Sequence, residues 1–163
     1  MQKVKLKLQT PKIGRYFNLF TLLICAISLS YILMNWSSFP DLVPSHYNAL
    51  GEPDDWSNKW FIFVPLLIGF VLWIGMYFLE KNPHLHNYSG LTESNIESLY
   101  KNSMLTINFI KNELLLMFSF SSLDNVQVAM GNKSLLGAWE LPVVFILLLG
   151  TVAFFIVRSI KIK

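Results

Sequence analysis

Three long apolar runs constrain the fold of this chain more than any other feature of its sequence. Residues 16–34, 60–79 and 141–157 contain no charged side chain. A helix of about 20 apolar residues crosses the roughly 30 Å hydrocarbon core of a bilayer. Because lipid offers the backbone no hydrogen-bonding partner, each run is predicted to cross the membrane as a helix.

The composition of the whole chain agrees with a lipid environment. Charged residues make up 14% of the 163 residues, whereas soluble domains are about 25% charged. The single cysteine, Cys25, excludes a disulfide within the chain and metal sites built from several cysteines. The net charge of +3 lies beside the apolar runs, which is typical of topology signals rather than of a nucleic-acid-binding surface. We therefore expect the lipid bilayer as a partner, no nucleic acid and no cofactor.

A fourth membrane span is predicted at residues 109–128, although this stretch carries charges. A charged side chain at mid-membrane costs about 2.5–3.5 kcal/mol. The chosen limits put Lys111 and Asp124 near the two ends, where the lysine is expected to reach the interface. Pairing of Lys111 with another helix inside the membrane is the alternative. Upstream, apolar residues at helical spacing predict an amphipathic interfacial helix over residues 92–108.

The predicted fold class is therefore an all-α integral membrane protein, a four-transmembrane-helix bundle in one domain over residues 1–163. An ordered extracellular loop, residues 35–59, joins helices 1 and 2, and a cytoplasmic loop, residues 80–108, contains the amphipathic helix before helix 3. The positive-inside rule places both termini in the cytoplasm. The basic residues behind this prediction are Lys3, Lys5, Lys7, Lys12, Arg15, Arg158, Lys161 and Lys163.

The loop 35–59 holds the densest polar chemistry in the chain. Pro44 favours extended backbone around it, Gly51 favours a turn, and the loop then folds back, so that His46 can approach Asp54 and Asp55. One interpretation is a compact cap, in which Asp54, Asp55 or Ser57 caps helix 2 and Lys59 pairs with one of these carboxylates. A recognition surface facing a ligand is the second interpretation, and a metal or catalytic site is the third. On chemistry alone we favour the cap.

The same loop carries a resemblance to a known family. The sequence LVPSHYNALGEPDDWSNK, residues 42–59, resembles the domain of unknown function 1648 that begins the SdpI-type toxin-immunity membrane proteins of Gram-positive bacteria. The resemblance extends over about residues 15–80 and covers no catalytic residue. The matching residues are Pro44, His46, Tyr47, Asn48, Gly51, Asp54 or Asp55, Trp56 and Lys59. We take Pro44, His46, Asn48, Gly51, Asp54, Asp55, Trp56 and Lys59 as a candidate recognition loop.

The resemblance implies a bacterial cell-membrane location and a protective role. SdpI-type proteins protect the producing cell against a secreted toxin and are thought to hold a transcriptional repressor at the membrane. They carry a second membrane domain, which this chain is expected to lack.

A second polar group is predicted to lie at the same depth as the loop. Asp124, Gln127 and Glu140 form this candidate polar cluster, to which His46 or Lys59 could be added. Such residues can lock helices together by hydrogen bonds or line a pocket open to the outside, and we favour locking. On the opposite side of the membrane, His84 and His86 are expected to be solvated.

Three functions fit these observations. The first is a binding or protective membrane protein that recognises a peptide toxin or an envelope component through the outer loop. The alternative is an accessory subunit of a transporter or sensor. A membrane-embedded metal-dependent enzyme fits less well, because the chain contains no nucleophile elbow, phosphate loop or zinc-protease motif. We therefore do not expect an enzyme, and we assign no catalytic, cofactor-binding or metal-binding residue.

Overall fold

The computed structural model describes residues 3–162. Within this range the chain is mostly helical, with four α-helices, one two-stranded antiparallel hairpin and short 3-10 turns between them. The predicted topology signal Lys163 lies outside the described residues. In chain order the elements are α1 (Lys12–Met34), β1 (Leu42–Tyr47), β2 (Pro53–Asn58), α2 (Phe63–Lys81), α3 (Ile96–Ala129) and α4 (Glu140–Ile160).

Three of the helices meet the requirements for crossing a membrane. Among the described residues, the segments Lys12–Met34, Lys59–Lys81 and Gly137–Ile160 are long and apolar enough to span a bilayer. Only 6% of the most apolar part of the last segment is buried inside the protein. Their apolar side chains therefore face outward, as expected when lipid is the solvent. The predictions of a mostly helical membrane protein and of these three apolar spans are confirmed.

Helix α3 differs from the other three because its polar side chains point inward. It contacts α1, α2 and α4, and so lies at the centre of the bundle. It runs without a break from Ile96 to Ala129, so the predicted interfacial helix and the span predicted at residues 109–128 are parts of one helix. Its buried polar residues are Asn102, Asn108, Lys111, Asn112, Ser119, Ser122, Asp124 and Asn125.

The hairpin β1–β2 is held at one end of the bundle by an apolar cluster. Val43 of β1 is fully buried. It belongs to a cluster with Ile32 of α1, with Ile62 in the 3-10 turn before α2, and with Val126 of α3. Because three helical segments contribute to this cluster, the hairpin is a fixed part of the fold rather than a loose connection.

The hairpin also corrects one prediction about helix capping. Residues 53–58 pair with β1, so Asp54, Asp55 and Ser57 are committed to a strand and do not cap helix 2. The side-chain oxygen of Asn58 accepts a hydrogen bond from the backbone N–H of Trp60 at 3.1 Å and so caps the short 3-10 turn Lys59–Ile62 that leads into α2, whereas α2 itself has no side-chain cap.

At the other end of the bundle, residues 3–11 form a non-helical arm that lies against α3. The hydroxyl group of Tyr100 donates a hydrogen bond to the backbone oxygen of Val4 at 3.1 Å. His86 is near this arm and is half-buried, with its Nδ1 3.0 Å from the hydroxyl of Ser103 and its Nε2 2.9 Å from the backbone oxygen of Leu79. The expectation that His86 is solvated is therefore wrong.

Candidate functional site

A pocket lies between the tip of the hairpin and the connection from α3 to α4. We call it the hairpin pocket. Its volume is about 230 Å³, and its wall comes from both segments, which are far apart in sequence. Residues that line it include Tyr47, Asn48, Gly51, Ser134, Ala138 and Glu140.

Gly51 makes the close approach of these two segments possible. It has a φ of +74°, a backbone conformation that side chains disfavour. A Cβ atom at this position would also lie 2.2 Å from the backbone carbonyl carbon of Gly137. The glycine that sequence assigned to a turn is therefore required twice, by the turn and by the packing.

Tyr47 ties the hairpin tip to α3. Its hydroxyl group donates a hydrogen bond of 2.8 Å to the side-chain oxygen of Asn125. Burial, followed by the nearby charges of Asp124 and Glu140, raises the pKa of Tyr47 above its usual range. The phenol therefore stays neutral and remains a hydrogen-bond donor at physiological pH.

Asn48 serves the turn rather than facing a ligand. Its side-chain oxygen accepts hydrogen bonds from the backbone N–H groups of Leu50 and Glu52, at 2.8 and 3.1 Å. Side-chain bonds of this kind are typical of Asx turns. The role of Asn48 thus matches the compact cap, while its position still places it in the pocket wall.

His46 and Asp54 come together on the exposed surface of the hairpin. The Nδ1 atom of His46 is 2.6 Å from a carboxylate oxygen of Asp54, and their side chains are 68% and 44% exposed. Asp55 instead accepts a hydrogen bond from the hydroxyl of Ser45 at 3.1 Å. Within residues 3–162, no group of three or more His, Cys, Asp or Glu side chains is placed to hold a metal ion.

The remaining residues of the predicted recognition loop lie along the two strands. Pro44 is opposite Trp56 in the strand pairing, and Trp56 is partly exposed. Lys59 lies at the base of the hairpin, where its Nζ atom is 3.6 Å from Asp41. The prediction that Lys59 pairs with Asp54 or Asp55 is wrong, because those two residues lie further along the strand toward the tip.

The predicted polar cluster is distributed over separate hydrogen bonds. Asp124 accepts from the backbone N–H of Leu135 at 2.8 Å, and Gln127 accepts from the side chain of Asn132 at 3.0 Å. Glu140 accepts from the hydroxyl of Ser121 at 2.5 Å. Each bond fastens α3 to the connection or helix that follows it.

The most deeply buried charges of the bundle lie elsewhere, on α2 and α3. The Nζ atom of Lys111 is 2.5 Å from a carboxylate oxygen of Glu80, and both side chains are fully buried. Glu80 also accepts hydrogen bonds from the hydroxyl of Thr10 and, at 3.0 Å, from the side-chain amide of Asn108. The expectation that Lys111 extends to the interface is therefore wrong, and its alternative, pairing with another helix, describes the structure.

Aromatic and amide side chains complete the surroundings of this ion pair. The ammonium group of Lys111 lies 4.5 Å from the ring centre of Trp73 and 4.9 Å from that of Tyr77. The indole N–H of Trp73 donates to Asn112 at 2.8 Å, and the amide of Asn112 donates to Asn18 of α1 at 2.8 Å. The network therefore joins α1, α2, α3 and the N-terminal arm.

Sequence reasoning missed Glu80 because it stands beside Lys81 at the end of an apolar run, where a solvated charge is expected. The available signal was on α3. Asn108, Lys111 and Asn112 are three and four residues apart and therefore share one helix face. A polar face within a buried helix requires a polar partner on a neighbouring helix.

Comparison with protein families identifies one segment of the chain. Residues 23–75 match the model of a domain of unknown function, DUF1648. The matched segment covers about half of α1, the whole hairpin and most of α2. It confirms the resemblance predicted from the loop, although it spans only about a third of the chain. Comparisons with curated proteins and with solved structures gave no match.

Proposed function

We propose that the chain is a four-span protein of the bacterial cell membrane that binds a ligand in the hairpin pocket, at the outer surface. The ligand would be a peptide toxin or an envelope component, and the protein would protect the cell that makes it. The observation that carries the proposal is the pocket itself. It joins the tip of the hairpin, inside the DUF1648 segment, to a connection outside that segment.

The distribution of charge supports the orientation. Acidic residues prevail at the hairpin end of the bundle and basic residues at the opposite end, where the N-terminal arm and the end of α4 lie. The positive-inside rule then places the hairpin outside and the termini in the cytoplasm. The acidic residues at the hairpin end are Asp41, Glu52, Asp54, Asp55, Asp124 and Glu140, against Lys59 and Lys133.

The packing of α3 supports its assignment as the fourth span. Its 34 residues extend over about 51 Å at 1.5 Å per residue, which exceeds the hydrocarbon core. Lys111 is neutralised by Glu80, and the other buried polar side chains of α3 are enclosed by the protein, with Asp124 bonded to the following connection and Asn125 to the hairpin. Pairing inside the bundle is the usual way in which a charged residue is accommodated in a membrane.

A binding role fits the pocket better than a catalytic one. Glu140 is the only charged side chain among the described residues that line the pocket. His46, the histidine considered for catalysis, is outside this lining and bonded to Asp54 on the exposed surface. The pocket therefore offers one carboxylate, that of Glu140, which suits recognition of a cationic group on a ligand.

A survival assay tests the proposal. The chain is expressed in a sensitive Gram-positive strain, which is then exposed to peptide toxins secreted by the natural host. We expect the chain to raise survival against at least one of them, and Ala138→Trp to abolish the gain by filling the pocket. Ala26→Trp, on the exposed side of α1, is the matched control and should still protect. Absence of protection, or equal protection by both variants, would contradict the proposal.

A further inference from the structure

A basic groove lies at the end of the bundle opposite to the hairpin. We call it the arm groove. It is formed where the N-terminal arm, the first turn of α1 and the start of α3 meet, and its volume is about 390 Å³. The charged residues in its wall are Lys7, Lys12, Arg15, Glu97 and Lys101.

The charges in the arm groove do not balance. Glu97 and Lys101 form an ion pair of 2.5 Å along α3 and so compensate each other. Lys7, Lys12 and Arg15 are exposed and, within residues 3–162, make no ion pair. Three cations without a protein counter-charge therefore surround this groove, and the N-terminal dipole of α1 adds to their field. Such a groove is complementary to an anion.

A second depression continues from the arm groove onto the apolar surface of α1. Its volume is about 270 Å³, and Lys12 and Arg15 form part of both depressions. The other two residues that line it are Tyr16 and Leu19, which are 70% and 69% exposed. They begin the outward apolar face of α1, and tyrosine is enriched at the level of lipid headgroups. A cationic cavity and an apolar furrow thus meet at two shared residues.

This arrangement matches the chemistry of a lipid better than that of a free anion. Phosphate alone would use the cations but leave the apolar furrow empty. In an anionic phospholipid the phosphate is followed by acyl chains. The phosphate would lie among the cations of the arm groove, and an acyl chain would continue into the apolar depression beside it. Basic pockets between membrane helices are suited to anionic headgroups.

We propose that the arm groove binds an anionic phospholipid. Lys7, Lys12 and Arg15 hold the headgroup phosphate, and an acyl chain lies along Tyr16 and Leu19. The site is at the other end of the bundle from the hairpin pocket, so it stands or falls independently of the proposed function.

Lipid titration of the purified full chain tests this site. The chain in neutral detergent is titrated with phosphatidylglycerol and with phosphatidylcholine of the same acyl chains, and bound lipid is counted by native mass spectrometry. We expect phosphatidylglycerol to bind preferentially. Lys12→Gln together with Arg15→Gln should weaken its binding roughly thirty-fold, since each basic residue near an anionic lipid contributes about five-fold.

The matched control removes the same two residue types at the same end of the molecule. Arg158→Gln together with Lys161→Gln lowers the net charge equally but leaves the arm groove intact. Equal weakening by both double variants would show a general charge effect and overturn the site. If the Lys12 and Arg15 variant does not fold, Lys7→Gln, on the non-helical arm, provides the same comparison against Lys161→Gln.

Two further measurements distinguish binding of a lipid from binding of a free anion. Tyr16→Ser together with Leu19→Ser should weaken binding of phosphatidylglycerol while the cations remain. Millimolar inorganic phosphate should displace little lipid. Full displacement by inorganic phosphate, or no effect of the two serine substitutions, would overturn the assignment of a phospholipid.

Discussion

The buried ion pair between Glu80 and Lys111 leads to the sharpest prediction about stability. Removing one partner of a buried pair leaves the other charge without compensation and costs about 3–5 kcal/mol. In this protein Glu80→Gln leaves Lys111 with the faces of Trp73 and Tyr77 as its main electrostatic partners. Such contacts contribute only about 0.5–2 kcal/mol. We therefore expect Glu80→Gln to destabilise the protein by about 3–5 kcal/mol.

Lys111→Met should cost somewhat less than Glu80→Gln. The carboxylate of Glu80 keeps two neutral donors after this change, the hydroxyl of Thr10 and the amide of Asn108. The double variant should cost far less than the sum of the single variants, because it removes both charges and methionine retains much of the apolar volume. The expected coupling energy is about 3 kcal/mol or more.

The assay is reversible unfolding in mixed micelles, with the free energy of unfolding measured for the four proteins of the cycle. The exposed pair between Lys101 and Glu97 is the matched control, since its N–O distance is also 2.5 Å. Lys101→Met should cost no more than about 0.5 kcal/mol. The reasoning would be refuted if each single variant of the buried pair cost less than about 1 kcal/mol and the two effects were additive. Such a result would show that water reaches the pair.

Three further predictions concern the ends of the bundle. Burial lowers the pKa of His86 below its usual value, so below about pH 6.5 the unfolded chain binds more protons at this residue than the folded protein does. The melting temperature in detergent should therefore decrease as the pH falls through about 6.5. His86→Gln should make this decrease smaller. Gly51→Ala should lower the melting temperature much more than Gly90→Ala, because both residues have positive φ but only at Gly51 would a Cβ atom meet backbone; equal effects would argue against the packing described. Tyr47→Phe should destabilise the protein by about 1 kcal/mol in an unfolding titration through loss of the bond to Asn125, and no change would mean that water replaces it.

The apolar helices were readable from the sequence because lipid imposes a local rule. Residues 16–34 and 60–79 needed no knowledge of their neighbours, since length and lack of charge decide whether a helix spans a bilayer. The glycine turn at Gly51 was also local. The hairpin was only partly readable, because Pro44 indicated extended backbone but nothing in the loop fixed the register that commits Asp54 and Asp55 to a strand.

The parts that sequence could not supply depend on how helices are rotated against each other. Lys111 was placed near a helix end because a local rule sends lone lysines to the interface. Its partner Glu80 lies 31 residues earlier, and only the packing of α2 on α3 brings the two together. The hairpin pocket has the same character, since its second wall comes from the connection at Ser134–Ala138, far from the hairpin along the chain.

The inward polar side of α3 has a consequence for how the protein is made. In the proposed four-span arrangement, α3 is too polar to enter lipid on its own. It therefore depends on contacts with parts of the chain that are synthesised before it. Glu80, Thr10 and Asn18 all precede α3 in synthesis. Helix α4 emerges after α3 and then covers Glu113 through Thr151. We therefore expect the order of translation to be the order of assembly, and a chain that begins after α2 to leave α3 outside the bilayer.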